Sequence, residues 1–443
     1  MKSSFSKIIL ATFLFGTVAS ASYTTPSDIY KSAILNSTKV NSSKLAYEAK
    51  KEGLGEVYGQ LYPQLEGSLG YSMSDYERNE MAGRVRDPQV TETSKEISLT
   101  LNQVIYNPAL NSSIDIEKER VKLFSYDYDL KKQEIAREAL DVYMSVLNIK
   151  NRISLLRANM NYIAQNQKMI EEKYAMNLVT KMDFLKVQVE YQKSKIDLIQ
   201  EEKNYDAMYL KLQNVTKMDD ILIPDFNLSN LSETYIKNIL LVLENNNSLD
   251  RNLSILQARS AVQVSSYEVS HAKDGHLPDL SLSASYTKYV SKDETTDYNH
   301  YGRAMVKLRI PIFEGGAVSA KVSNKQLMKR SMEEELRTVE DDIRLKLNED
   351  VNLLKSEIDT LRMYKDALVS GEVYLESVQL AYDKGLKSIV DLFDAKNKLF
   401  EIKYDYIKSI HEMSNLFVAF LINTNSLDEL YLIDELVKQE GVK

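Results

Sequence analysis

Cysteine and tryptophan are absent from the 443 residues, and glycine and proline are scarce, at 14 and 7. Without cysteine there is no disulfide, no thiolate-bound zinc or iron–sulfur centre, no thiol nucleophile and no acylated cysteine to serve as a lipid anchor. The four histidines, His271, His276, His300 and His411, show no compact ligand spacing such as H-E-x-x-H, so no metal or other cofactor is indicated. There is neither G-x-S-x-G nor a P-loop. Gly53-Leu-Gly55-Glu-Val-Tyr-Gly59 misses G-x-G-x-x-G by one residue and precedes a strand pattern instead of following one. Nothing here points to an enzyme. Basic residues are outnumbered, 56 against 64 acidic, and the formal charge of -8 makes nucleic acid an unsuitable partner. A hydrophobic content of 44% with 27% charged residues still describes a folded chain.

Beyond the first 21 residues no apolar run approaches the ~18 residues a membrane helix needs. The start itself reads as a signal peptide spanning 1–21. Lys2 and Lys7 precede an apolar core from Ile8 to Val18, and Ala19-Ser20-Ala21 has the form a signal peptidase cuts. An exported mature chain beginning at Ser22, with a formal charge of -10, is expected.

The scarcity of helix breakers is uneven. Ala109 to Ile223 and Ile312 to Lys443 contain no proline, and no glycine lies between Gly83 and Gly275. Such stretches permit very long helices. Apolar residues agree, stepping by three and four from Val121 through Ile135, Val146 and Leu156 to Ile163, from Met332 through Leu347 to Leu368, and from Leu392 through Tyr406 to Phe420. These are heptad patterns.

Between them the period changes to two. Leu65, Leu69, Tyr71 and Met73 alternate with Glu66, Ser68 and Ser72; Ile97, Leu99, Leu101 and Ile105 with Ser98, Thr100 and Asn102; Leu280, Leu282 and Tyr286 with serines; Val306, Leu308, Ile310 and Ile312 with Lys307 and Arg309. Strands are therefore expected at 64–76, 95–106, 278–290 and 303–313. One apolar face, one polar face and tyrosines near the ends suit a transmembrane barrel with a wet lumen. A soluble sheet packed on helices alternates in the same way.

The order of elements occurs twice. Tyr62-Pro63 and Leu277-Pro278, 215 residues apart, each open a strand. Tyr174-Ala-Met-Asn177-Leu178-Val-Thr180-Lys-Met-Asp183 aligns with Tyr382-Asp-Lys-Gly385-Leu386-Lys-Ser388-Ile-Val-Asp391 at a separation of 208. An internal duplication explains this, with a first repeat at 22–231, a second at 232–424 and a C-terminal tail at 425–443. Four strands cannot close a barrel, and open edges are not tolerated in lipid, so the chain is expected to assemble; two copies give eight strands and three give twelve.

The duplicated Tyr-x-x-Gly/Asn-Leu-x-Ser/Thr-x-x-Asp segment, the following Val390-Asp391-Leu-Phe-Asp394-Ala395, the x-Pro strand starts and the export signal together resemble the outer-membrane efflux proteins, the TolC-like family, over essentially the whole mature chain. The resemblance implies a mixed membrane α/β fold: a homotrimer whose twelve-stranded transmembrane β-barrel, four strands per protomer, continues into a long α-helical coiled-coil barrel. It implies a place in the bacterial outer membrane, among its lipids and extending into the periplasm. It also implies work as the exit duct of a tripartite efflux pump for small toxic compounds, with a periplasmic adaptor protein and an inner-membrane transporter as partners.

By the same likeness, Asp391 and Asp394 form the periplasmic constriction; three apart on a helix, they share a face, and three copies give six carboxylates that favour cations. Asp183, Tyr382 and Lys387 fall on gate-linking positions. Lys387 stands where the best-known members carry arginine and Met182 where they carry threonine, so a link to Asp183 would differ in shape. Asn177, Leu178, Thr180, Gly385, Leu386 and Ser388 fall on the helix tips that meet the adaptor. Two other readings are the same channel serving type I protein secretion, and a periplasmic coiled-coil scaffold. The scaffold reading accounts for the heptads but not for the strands.

Overall fold

The computed structural model describes residues 23–76, 90–225, 231–246, 249–289 and 300–437. The signal-peptide residues therefore lie outside it. Helices α1 (Pro26–Asn36) and α2 (Thr38–Gly59) lead into strands β1 (Gln64–Tyr76) and β2 (Val90–Tyr106), then helices α3 (Pro108–Ala175) and α4 (Lys181–Thr216). The same order follows with α5 (Glu233–Asn245), α6 (Leu253–Asp274), β3 (Asp279–Tyr289), β4 (His300–Arg309), α7 (Ala317–Asp383) and α8 (Ile389–Asn423). A short α9 (Tyr431–Val437) closes the described chain.

The breaks between elements follow local chemistry. Thr25, Ser37, Asn107, Thr180, Ser232, Asn252 and Ser388 each cap the helix they precede through a side-chain oxygen, and Pro26 and Pro108 occupy first-turn positions where a missing N–H costs nothing. α3 then runs 68 residues and α7 67, so each is a rod of about 100 Å at 1.5 Å per residue. Their heptad positions are the packed ones. Ile135, Ala139, Val142, Val146, Ile149, Ile153, Leu156 and Ile163 of α3 are buried, as are Leu347, Leu354, Ile358 and Leu361 of α7 and Leu392, Leu399, Tyr406, Ile410, Met413, Phe417 and Phe420 of α8. α3 packs against α4 along part of its length and against α2 and α6 along the rest, and α7 likewise against α8 and α6.

The strands form one antiparallel sheet ordered β1-β2-β3-β4. Its register decides what the alternation in each strand means collectively. Leu65 lies opposite Leu101 and Leu69 opposite Ile97; Leu99 faces Tyr286 and Leu101 faces Ala284; Leu282 faces Val306 and Leu280 faces Leu308. All four apolar rows thus share one side of the sheet. The other side carries Ser68 opposite Ser98, with hydroxyl oxygens 2.6 Å apart, then Thr100, Asn102, Ser281, Ser283 and Ser285. One side suits hydrocarbon and the other water, as a membrane barrel wall requires. β1 and β4 are edges with no partner strand among the described residues. Unpaired backbone groups cannot remain so in lipid, where each costs several kcal/mol.

The strand boundaries differ most from expectation in β2 and β4. β2 begins at Val90 instead of 95, extending the hairpin to Tyr76 opposite Val90. β4 covers 300–309, not 303–313, because Pro311 has no N–H for a ladder; Ile310 and Ile312 continue the alternation outside the strand, and Ile312 is 92% exposed. Near the end of β2 the register slips: Val104 pairs with Ser281 but Tyr106 with Leu280. This bulge at Ile105 gives the apolar-side place opposite Leu280 to Tyr106.

The C-terminal segment is not a loose tail as far as it is described. Leu430, Leu432, Ile433, Leu436 and Val437 are buried, and Asp434 accepts hydrogen bonds from the backbone N–H (3.0 Å) and hydroxyl (2.5 Å) of Ser27 at the opposite end of the chain. The connector between the halves is also held: Tyr209 Oη both donates to the carbonyl of Ile221 and accepts from its N–H.

Candidate functional site: the paired helix tips

The turns joining α3 to α4 and α7 to α8 are built alike. At the first, the N–H of Asn177 donates to the carbonyl of Tyr174 and that of Leu178 to Lys173; at the second, Gly385 donates to Tyr382 and Leu386 to Ala381, each bond 2.9 Å. This nested pair of bonds ends a helix through one left-handed residue. Asn177 (φ 58°) and Gly385 (φ 73°) supply it, the two residue types that tolerate positive φ. The next residues, Leu178 and Leu386, are left 68% and 77% exposed. Among the described residues no packing requires them to be apolar.

The helices leaving the turns begin with reciprocal caps. Thr180 Oγ1 accepts from the Asp183 N–H (3.1 Å), while an Asp183 carboxylate oxygen accepts from the N–H (3.2 Å) and hydroxyl (2.7 Å) of Thr180. Ser388 and Asp391 repeat this at 3.1, 2.9 and 2.8 Å. The backbone N–H of Ser388, then its hydroxyl, hold the Asp391 carboxyl below the ordinary carboxylate range, and Lys387 adds to this with Nζ 3.4 Å from the other oxygen. Asp391 is thus a helix cap as well as an exposed anion, a role its spacing from Asp394 does not suggest.

Of the expected gate residues, Lys387 and Asp391 are in contact, whereas within one chain the hydrogen bonds of Asp183 go to Thr180 and not to Tyr382 or Lys387. Tyr382 instead accepts from Lys173 Nζ at 2.8 Å, and the same ammonium lies 5.2 Å from the centre of its ring. Asp394 meets Lys186 on α4 at 3.5 Å. Lys173 and Lys186 both belong to the α3/α4 hairpin and both reach α7/α8. Neither is visible to motif reading, although Lys186 is the residue 208 positions before Asp394 and so its counterpart in the repeat.

Beneath these polar links the two hairpins share an apolar cluster of Ile163, Ile170, Val187, Val378, Ile389, Leu392, Phe393 and Ala395. Tyr162 meets Phe393 edge-on at 6.3 Å, and Lys396 sits 4.6 Å from the Tyr162 ring centre. Burial, followed by the neighbouring Lys403 charge, pushes the Lys396 ammonium below its usual range. The tip is therefore a packed junction with a polar rim, in which the apolar cluster and the Lys173 and Lys186 contacts together hold one hairpin against the other. No catalytic constellation accompanies it; among the described residues no cluster of three or more His, Asp or Glu is placed to hold a metal.

Comparison with known proteins supports the same outline. The profile of the family described as outer membrane efflux protein matches residues 29–216 and 245–408. The outer membrane protein TolC of Salmonella enteritidis is 23% identical over 421 residues, covering 93% of this chain and 82% of that protein. PrtF of Dickeya chrysanthemi, a proteases secretion protein, is 21% identical over 404 residues, covering 86% of this chain and 85% of its own. The solved outer membrane protein VceC of Vibrio cholerae superposes with a TM-score of 0.75 at 11% identity, over 90% of this chain and 95% of that one.

Proposed function

The chain belongs to the outer membrane efflux protein family, and on that premise we propose that it is a passive exit duct, the outer-membrane component of a tripartite pump for small toxic compounds. It is an outer-membrane channel of the TolC type. The single observation that carries the duct reading is the register of the sheet: four rows of apolar side chains on one side and a hydroxyl-rich surface on the other, with the rods α3 and α7 following β2 and β4 in the chain. Three copies would close twelve strands into a barrel and place the helices around a periplasmic tunnel. Energy would come from an inner-membrane transporter, coupled through a periplasmic adaptor that docks at the tips.

In this reading Leu178 and Leu386 are the apolar contacts for the adaptor, which explains their exposure. Asp391 and Asp394 would ring the narrow end, repelling anions and attracting cations. Lys173 and Lys186 would hold the hairpins together when the duct is closed. Export of a polypeptide through the same duct is a second reading, favoured by the likeness to PrtF. Transport assays separate the two: cells lacking the protein would become sensitive to small toxic compounds in the first case and would retain a secreted polypeptide in the second. Detergent fractionation tests the membrane assignment itself, since a periplasmic scaffold would yield a soluble pool.

A further inference from the structure

The end of α2 and the helices α3, α6 and α7 border a cavity of about 420 Å³ in which basic groups outnumber acidic ones. Arg120, Lys321, Lys325 and His271 line it, against the two carboxylates of Glu117 and Glu268. Both carboxylates are already committed. Glu117 binds Arg120 at 2.6 Å and Lys50 of α2 at 3.0 Å, while Glu268 binds Arg120 at 3.1 Å and Lys325 at 2.7 Å. These charge-assisted bonds fix the Arg120 fork and the Lys325 ammonium in place and leave each with further N–H donors. Lys321 and His271 differ, because neither side chain has a hydrogen bond or ion pair among the described residues. Burial, then the Lys321 charge and more weakly Lys325, hold the His271 imidazole below its ordinary range, against the opposing pull of Asp274 and Glu268. The cavity also has a definite side. It shares Gln60 with a neighbouring hollow lined by Asn102, Ser281 and Ser283, which belong to the hydroxyl-rich side of the sheet.

We infer that this cavity binds a small tetrahedral dianion of the phosphate or sulfate class, held by Lys321 and by the remaining donors of Lys325 and Arg120, with His271 as a further donor. The two carboxylates do not repel such a ligand from the site, since each is neutralised by a pair of cations, and the charge left over is that of Lys321. A bound anion favours the protonated imidazole, so binding draws a proton onto His271, and by reciprocity the anion is held more tightly as pH falls. The position of the cavity selects the source of the ligand. On the duct reading the hydroxyl-rich side faces water, so the anion is a dissolved solute and not a lipid headgroup. Along α3, Arg120 stands about 80 Å from the end of the helix at Ala175, at 1.5 Å per residue. The duct would then carry an anion-binding zone beside the sheet and a cation-attracting rim at the far tips.

The test is calorimetric titration of the full, detergent-extracted protein with sulfate, whose charge is constant between pH 6 and 8, at low salt and in two buffers of different ionisation enthalpy, so that proton uptake is counted. Saturable binding with net proton uptake is expected. Lys321→Gln should weaken it by about ten-fold or more, and Lys321→Arg should retain it. His271→Gln should still bind at pH 8 but take up no proton and lose the tightening between pH 8 and 6. Absence of saturable binding, equal affinity in Lys321→Gln, or proton uptake that persists in His271→Gln would overturn the inference. So would failure of sulfate in a protein that retains phosphatidic acid added to the micelle, which would make the cavity a lipid site. The site is complete within one chain: binding without conductance would keep it and remove the duct, and conductance without binding would do the reverse.

Discussion

Lys186 and Asp394 occupy corresponding positions in the two repeats, 208 residues apart, and their side chains meet, with Nζ 3.5 Å from a carboxylate oxygen. A duplicated chain begins with the same residue at both places. Opposite charges at this pair let one hairpin bind its own copy, while Asp183 and Asp391, three residues earlier, both keep the capping role that each helix start requires.

The pair is half-exposed on the lysine side and more open on the aspartate side, so it should contribute no more than about 1 kcal/mol. Lys186→Met is accordingly expected to raise the open fraction of the channel by up to about five-fold, and Lys186→Asp with Asp394→Lys to return it to the starting value. Single-channel open probability at low salt measures both.

Removing the acidic rim has a different signature. Asp391→Asn with Asp394→Asn should weaken cation preference and block by multivalent cations while leaving oligomer yield unchanged. With Asp394→Asn alone, block through Asp391 should persist as pH falls past the ordinary aspartate value of about 3.9, because the Ser388 cap and Lys387 favour its ionised form. The sign for stability is the same. A carboxyl with a lowered folded pKa contributes fully above the unfolded value and loses that contribution as pH falls through the folded one. Reversal potentials across a pH series would reveal either behaviour.

His411 moves stability over a higher pH range. Burial, and then the Arg152 guanidinium, push its imidazole down to about 4, and its Nε2 lies 3.1 Å from Asn415 Nδ2. Between the unfolded value of about 6.5 and this lower one, the unfolded chain takes up a proton that the folded chain refuses, so stability falls as pH drops across that window. The loss should approach about 3 kcal/mol and level off below pH 4, and His411→Gln should remove it. Denaturant midpoints at pH 7, 5.5 and 4 provide the comparison.

Much of this architecture is legible in residue order because it rests on local rules. Thr180 and Ser388 begin helices as capping residues do, Asn107-Pro108 fixes the start of α3, and the period-two stretch after Pro63 has the bounds of β1. What escapes depends on contacts distant in sequence. The bulge at Ile105 exists only in the pairing of β2 with β3, and it moves Tyr106 to the apolar side without altering the composition of the strand. α9 is too short to show a period, yet it buries Leu432, Ile433 and Leu436 against the start of the chain. At the tips the turn residues are readable one by one. The partners Lys173 for Tyr382 and Lys186 for Asp394 follow only from the packing of one hairpin on the other.

The left-handed turn residues differ in what they tolerate. Gly385→Ala forces a Cβ into φ 73°, a conformation costing roughly 1–2 kcal/mol, although no atom crowds the position. Asn177→Gly relieves the milder strain at φ 58° and should be neutral or slightly stabilising. Hydrogen exchange of the first turns of α4 and α8 should quicken only for the alanine variant.

Leu178→Asp together with Leu386→Asp should abolish pump-dependent resistance in cells while leaving the conductance of the purified protein intact, because both side chains are largely exposed at the turns. Loss of conductance in that variant would make the tips part of the pore instead of a docking surface.

The most direct test of the duct itself is single-channel recording of detergent-extracted protein in a planar bilayer, with and without a trivalent cation on the helical side. Stable openings, blocked by the cation and relieved of block by Asp391→Asn with Asp394→Asn, are predicted. Absence of any conductance under conditions in which a control porin inserts would contradict the account.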